Sequence, residues 1–132
     1  MILSIPWLVI SVILYNIIAL SGGHFDYAVI QDLHMISGAA WSLTLGDLII
    51  VLTLVILFVE LIKATRTGET SIIDHSLSML LFIICVVEFL VVEACGTSTF
   101  FMITVITLID VVAGFTITIR SARRDLMLGG NQ

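Results

Sequence analysis

The chain has 132 residues, of which 60% are hydrophobic and only 11% charged, and its formal net charge is −5 at pH 7. This composition is outside the usual range of soluble globular domains and typical of integral membrane proteins, so we expect one all-α membrane domain over 1–132. Nucleic-acid binding is excluded, because five basic residues are too few to form a basic binding surface.

Four apolar stretches are long enough to cross a bilayer, since a membrane-spanning helix needs roughly 20 residues. They predict an integral membrane four-helix bundle with helices over about 2–20, 41–62, 72–95 and 99–119. A cleaved signal peptide is the alternative interpretation of the first stretch, because Ala19-Leu20-Ser21 weakly matches a processing site. The residues before this stretch carry no Lys or Arg, which favours a retained helix. After the fourth stretch, the tail over 120–132 is predicted to fray.

The one long connection, 21–40, carries a second and weaker helical pattern. Its apolar residues Phe25, Val29, Leu33 and Ile36 recur at helical spacing. This predicts a short amphipathic helix over 26–35 that lies in the membrane interface of the first outer loop.

The same loop contains four side chains of types that bind metal ions: His24, Asp26, Asp32 and His34. No two of these have the i, i+4 histidine spacing of a helical metal site. A solvated polar face is therefore the simpler interpretation of the four residues.

The basic residues predict how the chain is oriented. Lys63 and Arg66 follow the second span, and Arg120, Arg123 and Arg124 follow the fourth. The positive-inside rule then places both termini and the loop between the second and third spans in the cytoplasm. We expect an integral membrane protein whose surroundings are the lipid bilayer. In a bacterium, we expect this bilayer to be the inner membrane.

The second predicted span has one small and polar side. Ser42, Gly46 and Thr53 are 4 and 7 residues apart, so they share a helix face that another helix can approach closely. Glu60 continues this face towards the cytoplasmic boundary. We interpret Glu60, and Glu93 at the outer boundary of the third span, as boundary acids that are solvated or paired.

Polar residues also occur within the apolar spans, where a charged side chain costs roughly 2.5–3.5 kcal/mol on insertion scales. At a rise of 1.5 Å per residue, Asn16, Asp47 and Glu88 lie about 6–11 Å from the outer ends of their helices. Asp110 lies deeper, and no Lys or Arg is found at these depths. We expect the four residues to form an intramembrane polar cluster.

Two functions are compatible with this pattern. The chain is either an accessory, assembly or structural subunit of a larger membrane complex or homo-oligomer, or a proton- or cation-coupled transporter or channel. The acids of a subunit are paired within the bundle or with another membrane protein, whereas those of a transporter, Asp47, Glu88 and Asp110, form a relay. A subunit is favoured, because a short chain with little extramembrane material has few ways to gate a pathway.

The sequence contains no catalytic signature of the HExxH, CxxC or glycine-rich phosphate-loop type. His24, His34 and His75 lie at or outside the span boundaries, which disfavours a haem. We therefore expect neither enzymatic activity nor a cofactor. Cys85 and Cys95 lie about 15 Å apart if one helix carries both, and this distance is too long for a disulfide.

Overall fold

The computed structural model describes residues 5–66 and 71–130. The described residues form four α-helices and one two-stranded hairpin, in the order α1 (Leu8–Leu20), β1 (Ala28–His34), β2 (Ala40–Thr44), α2 (Leu45–Ala64), α3 (Ser71–Val91) and α4 (Ser98–Gly129). A 3₁₀ turn, Glu93–Cys95, connects α3 to α4. The chain is therefore mostly helical, with a small sheet on one connection.

Three of these helices, α2, α3 and α4, are long and apolar enough to cross a membrane, which is compatible with a membrane location. Helix α1 is also apolar but has 13 residues. The first part of the predicted first span, up to residue 4, lies outside the described residues. Helix α4 has 32 residues and continues past the predicted end at 119. Its length of about 48 Å is more than a helix needs to cross a hydrocarbon core of roughly 30 Å.

The connection between α1 and α2 forms a β-hairpin, so the prediction of an amphipathic helix over 26–35 is wrong. The strands pair antiparallel, and the chain reverses where the Gly38 N–H donates to the Met35 carbonyl at 2.9 Å. Gly38 has φ +85°, a left-handed conformation that glycine adopts without a steric penalty. The β-branched Val29 and Ile30 favour the extended strand that precedes this turn. Together these local preferences outweigh the few apolar residues at helical spacing.

Because the second strand occupies the start of the predicted second span, α2 begins later than expected. Trp41 and Ser42 belong to β2 and lie outside the helix. A reciprocal capping box fixes the first residue of α2: the Thr44 hydroxyl accepts from the Asp47 N–H at 3.1 Å, and the Asp47 carboxylate accepts from the Thr44 N–H at 3.0 Å.

Helix α4 is the central helix of the fold. Both α2 and α3 pack against it, and α1 packs on α2 while also touching α4 and the 3₁₀ turn. Tyr15, which is fully buried, stacks on Phe25 with ring centroids 4.3 Å apart. Its hydroxyl donates to the Ala94 carbonyl at 3.0 Å and is hydrogen-bonded to the Thr97 hydroxyl at 2.6 Å. Through Phe25, these contacts join α1 to the segment that precedes the hairpin. Through Ala94 and Thr97, they join α1 to the connection between α3 and α4.

Candidate functional site

The structure separates the four residues of the predicted polar cluster into three environments. Asn16 donates to the Glu88 carboxylate at 3.0 Å, so these two residues form one polar pair between α1 and α3. Asp47 is exposed and serves the capping box in the first turn of α2. Asp110 is buried at a different place, in a cavity that it shares with Glu60. The four side chains therefore do not converge on one site.

The first polar site lies between α1 and α3, around Asn16 and Glu88. Helix α3 ends at Val91, before the residue that was predicted to end the third span, and the following 3₁₀ turn carries Cys95 back towards the helices. The Cys95 thiol donates to the Asn16 amide oxygen at 3.6 Å. Cys85 is also buried, and both cysteines are free thiols. The predicted 15 Å separation does not apply, because one continuous helix does not carry both residues.

The second polar site lies where α2 ends and α3 begins. It is a cavity of about 30 Å³ enclosed by side chains from α2, α3 and α4. Its polar lining includes Glu60, Lys63, Asp74, His75, Ser78 and Asp110. A cavity of this volume holds roughly one water molecule.

The predicted boundary acid Glu60 is buried, forms an ion pair and lines this cavity. Its carboxylate lies 3.1 Å from the Lys63 ammonium and accepts a hydrogen bond from the Trp7 backbone N–H. Lys63 also donates to the Ile5 carbonyl at 3.2 Å. These bonds hold the start of α1 against the end of α2. The other predicted boundary acid, Glu93, is exposed in the 3₁₀ turn.

His75, which the sequence predicts at the membrane boundary, also lines this cavity. Its Nε2 is hydrogen-bonded to the Thr118 hydroxyl at 2.6 Å, and its ring packs on Phe115 with centroids 4.9 Å apart. A Cβ added at Gly114 would lie 3.0 Å from the His75 ring, so glycine lets the imidazole approach α4 closely. The spacing of Gly114 and Thr118 on one face of α4 was the available signal for this contact.

The predicted packing face of the second span is only partly helical in the structure. Gly46 and Thr53 are both buried on α2, whereas Ser42 is exposed on β2 and accepts the Asp32 N–H at 3.2 Å. A Cβ added at Gly46 would lie 2.6 Å from the Thr99 hydroxyl oxygen of α4. The absence of a side chain at Gly46 therefore permits the contact of α2 with the first turn of α4.

The four candidate metal ligands between α1 and α2 are not arranged as a ligand set. Asp32 and His34 lie on β1, where the His34 ring bonds to the Asp32 carbonyl at 2.9 Å, and both residues are exposed. His24 and Asp26 line an open cleft of about 540 Å³ near the start of α4. Across residues 5–66 and 71–130, no group of three or more His, Cys, Asp or Glu side chains is placed to hold a metal ion.

The described residues thus form two polar sites of different character. The site around Asn16 and Glu88 is a hydrogen-bonded pair with two buried thiols beside it, and the site around Asp110 is a cavity with acids, a histidine and a lysine in its walls. Comparisons with protein-family models, with curated proteins and with solved structures found no match. Function is therefore inferred from the geometry of these residues.

Proposed function

We propose that this chain is a four-span accessory, assembly or structural subunit of a larger membrane complex or homo-oligomer. The observation that carries the proposal is the exposed surface of α3. Only 22% of an 18-residue apolar stretch of α3 is buried within the protein, compared with 33% of such a stretch in α2 and 44% in α4. Among the three long helices, α3 therefore presents the largest share of its apolar surface to lipid or to another membrane helix.

A groove between α3 and α4 gives this surface a shape that suits another helix. The groove has a volume of about 240 Å³ and is lined by Phe82, Phe89, Phe101 and Leu108 together with smaller neighbours. Helices associate in lipid largely through van der Waals packing, because lipid tails are as apolar as the side chains. A groove that is filled by ordered side chains gains more of these contacts than one that meets mobile acyl chains. This supports the groove as the docking face for a helix of another subunit.

Two of the acids support the same proposal, because they have partners within the chain. Glu60 is paired with Lys63, and Glu88 accepts a hydrogen bond from Asn16. Docking through the groove then needs no charged residue from the partner. The alternative function, a transporter or channel with a relay through Asp47, Glu88 and Asp110, has less support, because the three carboxylates lie in separate environments.

The proposed threading of four spans depends on the position of α1 beside α2. Near one end of α2 the Trp7 N–H donates to Glu60, and near the other end the Gly46 N–H donates to the Phe25 carbonyl at 2.9 Å. The segment that contains α1 therefore runs along nearly the whole of α2. With the basic clusters on the inner side, we propose that both termini are cytoplasmic and that a bacterial form lies in the inner membrane.

Native mass spectrometry of the full chain, extracted in a mild detergent, tests the proposal. We expect a species heavier than the 14.4 kDa monomer, and we expect Val105→Trp to release the monomer because the indole fills the groove. Val51→Trp is the matched control, since Val51 is exposed on α2 and lies away from the groove. A wild type that is purely monomeric contradicts the proposal, and so does the same oligomeric state in both variants.

A further inference from the structure

The last part of α4 carries three of the five basic residues of the chain. Arg120, Arg123 and Arg124 are all exposed, and α4 remains helical through them to Gly129. At about 100° per residue, Arg123 and Arg124 lie on either side of Arg120, within an arc of about 100°. Asp125, the acidic residue of this part of α4, lies about 140° from Arg120. The three arginines therefore share one side of the helix, which we call the arginine face.

The positive charge of the arginine face is not neutralised by the acids that the structure describes. Within residues 5–66 and 71–130, the ion pair observed joins Lys63 to Glu60, and no carboxylate lies within pairing distance of the three arginines. The chain as a whole has a formal net charge of −5. A preference for a negatively charged ligand therefore has to come from this local cluster, because the overall charge of the protein opposes it.

The position of the arginine face along α4 indicates which ligand it meets. Helix α4 begins at Ser98, and the Thr97 hydroxyl caps its first turn. At 1.5 Å per residue, Arg120 and Arg124 lie about 33 and 39 Å from Ser98. The hydrocarbon core of a bilayer is roughly 30 Å thick, and the two headgroup layers together add roughly 10–15 Å. With α4 crossing the membrane from Ser98 onward, as in the proposed function, the arginine face lies at the level of the headgroup phosphates.

Helix α2 gives an independent measure of this level. Its 20 residues span about 30 Å, which is the thickness of the core. Its last residue, Ala64, lines the same cavity as Thr118 of α4. Arg120 follows Thr118 by two residues, so the arginine face begins just past the level at which α2 ends.

We propose that the arginine face binds the headgroups of anionic phospholipids in the membrane that α4 crosses. A guanidinium group donates two parallel, charge-assisted hydrogen bonds to phosphate oxygens, a geometry that lysine does not provide. Each basic residue beside a membrane surface strengthens the attraction to anionic lipid by about fivefold, so three of them together contribute on the order of 100-fold. The proposal rests on the membrane crossing of α4 in the proposed function, and it does not depend on a partner subunit.

Native mass spectrometry of the full chain in detergent micelles, titrated with phosphatidylglycerol or with phosphatidylcholine of the same acyl chains, tests the proposal. We expect the wild type to bind the anionic phosphatidylglycerol on the order of 100-fold more tightly than the zwitterionic phosphatidylcholine. The triple variant Arg120→Gln, Arg123→Gln and Arg124→Gln should bind the two lipids equally. Equal binding by the wild type, or an unchanged preference in the triple variant, overturns the proposal.

The combined exchange of Arg124→Asp and Asp125→Arg is the matched control for net charge. It keeps the composition of the chain and moves one cation to the opposite side of α4, so phosphatidylglycerol binding should weaken by about fivefold or more. An unchanged affinity would mean that the lipid responds to charge without regard to the face, and would reject the site. Soluble glycerophosphate at the same concentration should not displace the lipid, and displacement would assign the arginines to a soluble phosphate instead.

The outcome is separable from that of the groove experiment. Lipid binding is read from lipid adducts on the chain in any oligomeric state, whereas docking is read from the mass of the protein assembly. Val105→Trp changes the groove and leaves the three arginines in place. A monomeric protein that still prefers phosphatidylglycerol would contradict the docking proposal and support the arginine face.

Discussion

Gly46→Ala perturbs the closest approach of α2 to α4. The added Cβ would lie 2.6 Å from the Thr99 hydroxyl oxygen and 3.3 Å from the Phe25 carbonyl oxygen. The first distance is well inside van der Waals contact, so the Thr99 side chain must rotate or the helices must separate. Overpacking of this kind costs roughly 1–3 kcal/mol. Alanine recovers about 1 kcal/mol of helix propensity, which leaves an expected net loss of up to roughly 2 kcal/mol in the free energy of unfolding.

Equilibrium unfolding in mixed micelles measures this loss, and two further variants show where it comes from. Thr99→Ala combined with Gly46→Ala should recover much of the stability, because the Thr99 hydroxyl that makes the contact is absent. Residues in contact typically show coupling of roughly 0.5–3 kcal/mol in such a cycle. Val55→Leu is the control and should stay within about 0.5 kcal/mol of the wild type, since the Val55 side chain is 57% exposed. Additive effects at Gly46 and Thr99, or equal losses for Gly46→Ala and Val55→Leu, refute the close approach.

Three more substitutions should lower stability in the same unfolding assay. Tyr15→Phe removes two hydrogen bonds of a buried hydroxyl and should cost about 1–3 kcal/mol, whereas Tyr27→Phe, at an exposed position, should be neutral; similar values for both would contradict the buried network. Lys63→Met leaves Glu60 buried without its cation and should cost about 3–5 kcal/mol, and a loss below 1 kcal/mol would show that the pair is solvated. Thr44→Ala removes the side-chain cap of α2 and should cost roughly 0.5–2 kcal/mol, with an unchanged stability as the contrary result.

The long helices were predictable from the sequence because hydrophobicity alone determines them. Runs of apolar residues identify α2, α3 and α4. The first and last residues of these helices depend on local interactions, which are harder to predict from the sequence. The capping box at Thr44 sets the start of α2, but the same residue lies inside a run that reads as one continuous span. The hairpin is not predicted by the four apolar positions at helical spacing, because it depends on Gly38 as a turn residue with φ +85°. The conformation of the turn residues determines the structure of that segment.

The candidate sites show a similar division between local and long-range information. Counting the helical rise put Asn16 and Glu88 at similar depths, and they are hydrogen-bonded in the structure. Depth alone does not reveal which helix faces which, so the same counting grouped Asp110 with residues that lie elsewhere. The environments of Asp110 and His75 depend on α4 as the central helix, which is a property of tertiary packing. The spacing of Gly114 and Thr118 marks a face of α4 that a side chain can approach closely, but it does not identify His75 as that side chain.

A reporter attached at three positions tests the proposed four-span architecture most directly. A fluorescent protein that matures only in the cytoplasm and a phosphatase that is active only outside it are attached in turn before Met1, within the hairpin at Gly38 and after Gln132, in a bacterial host. The architecture predicts cytoplasmic signals at both ends of the chain and a periplasmic signal at Gly38. Signals from Met1 and Gly38 on the same side of the membrane would contradict it, because α1 would then not cross the bilayer.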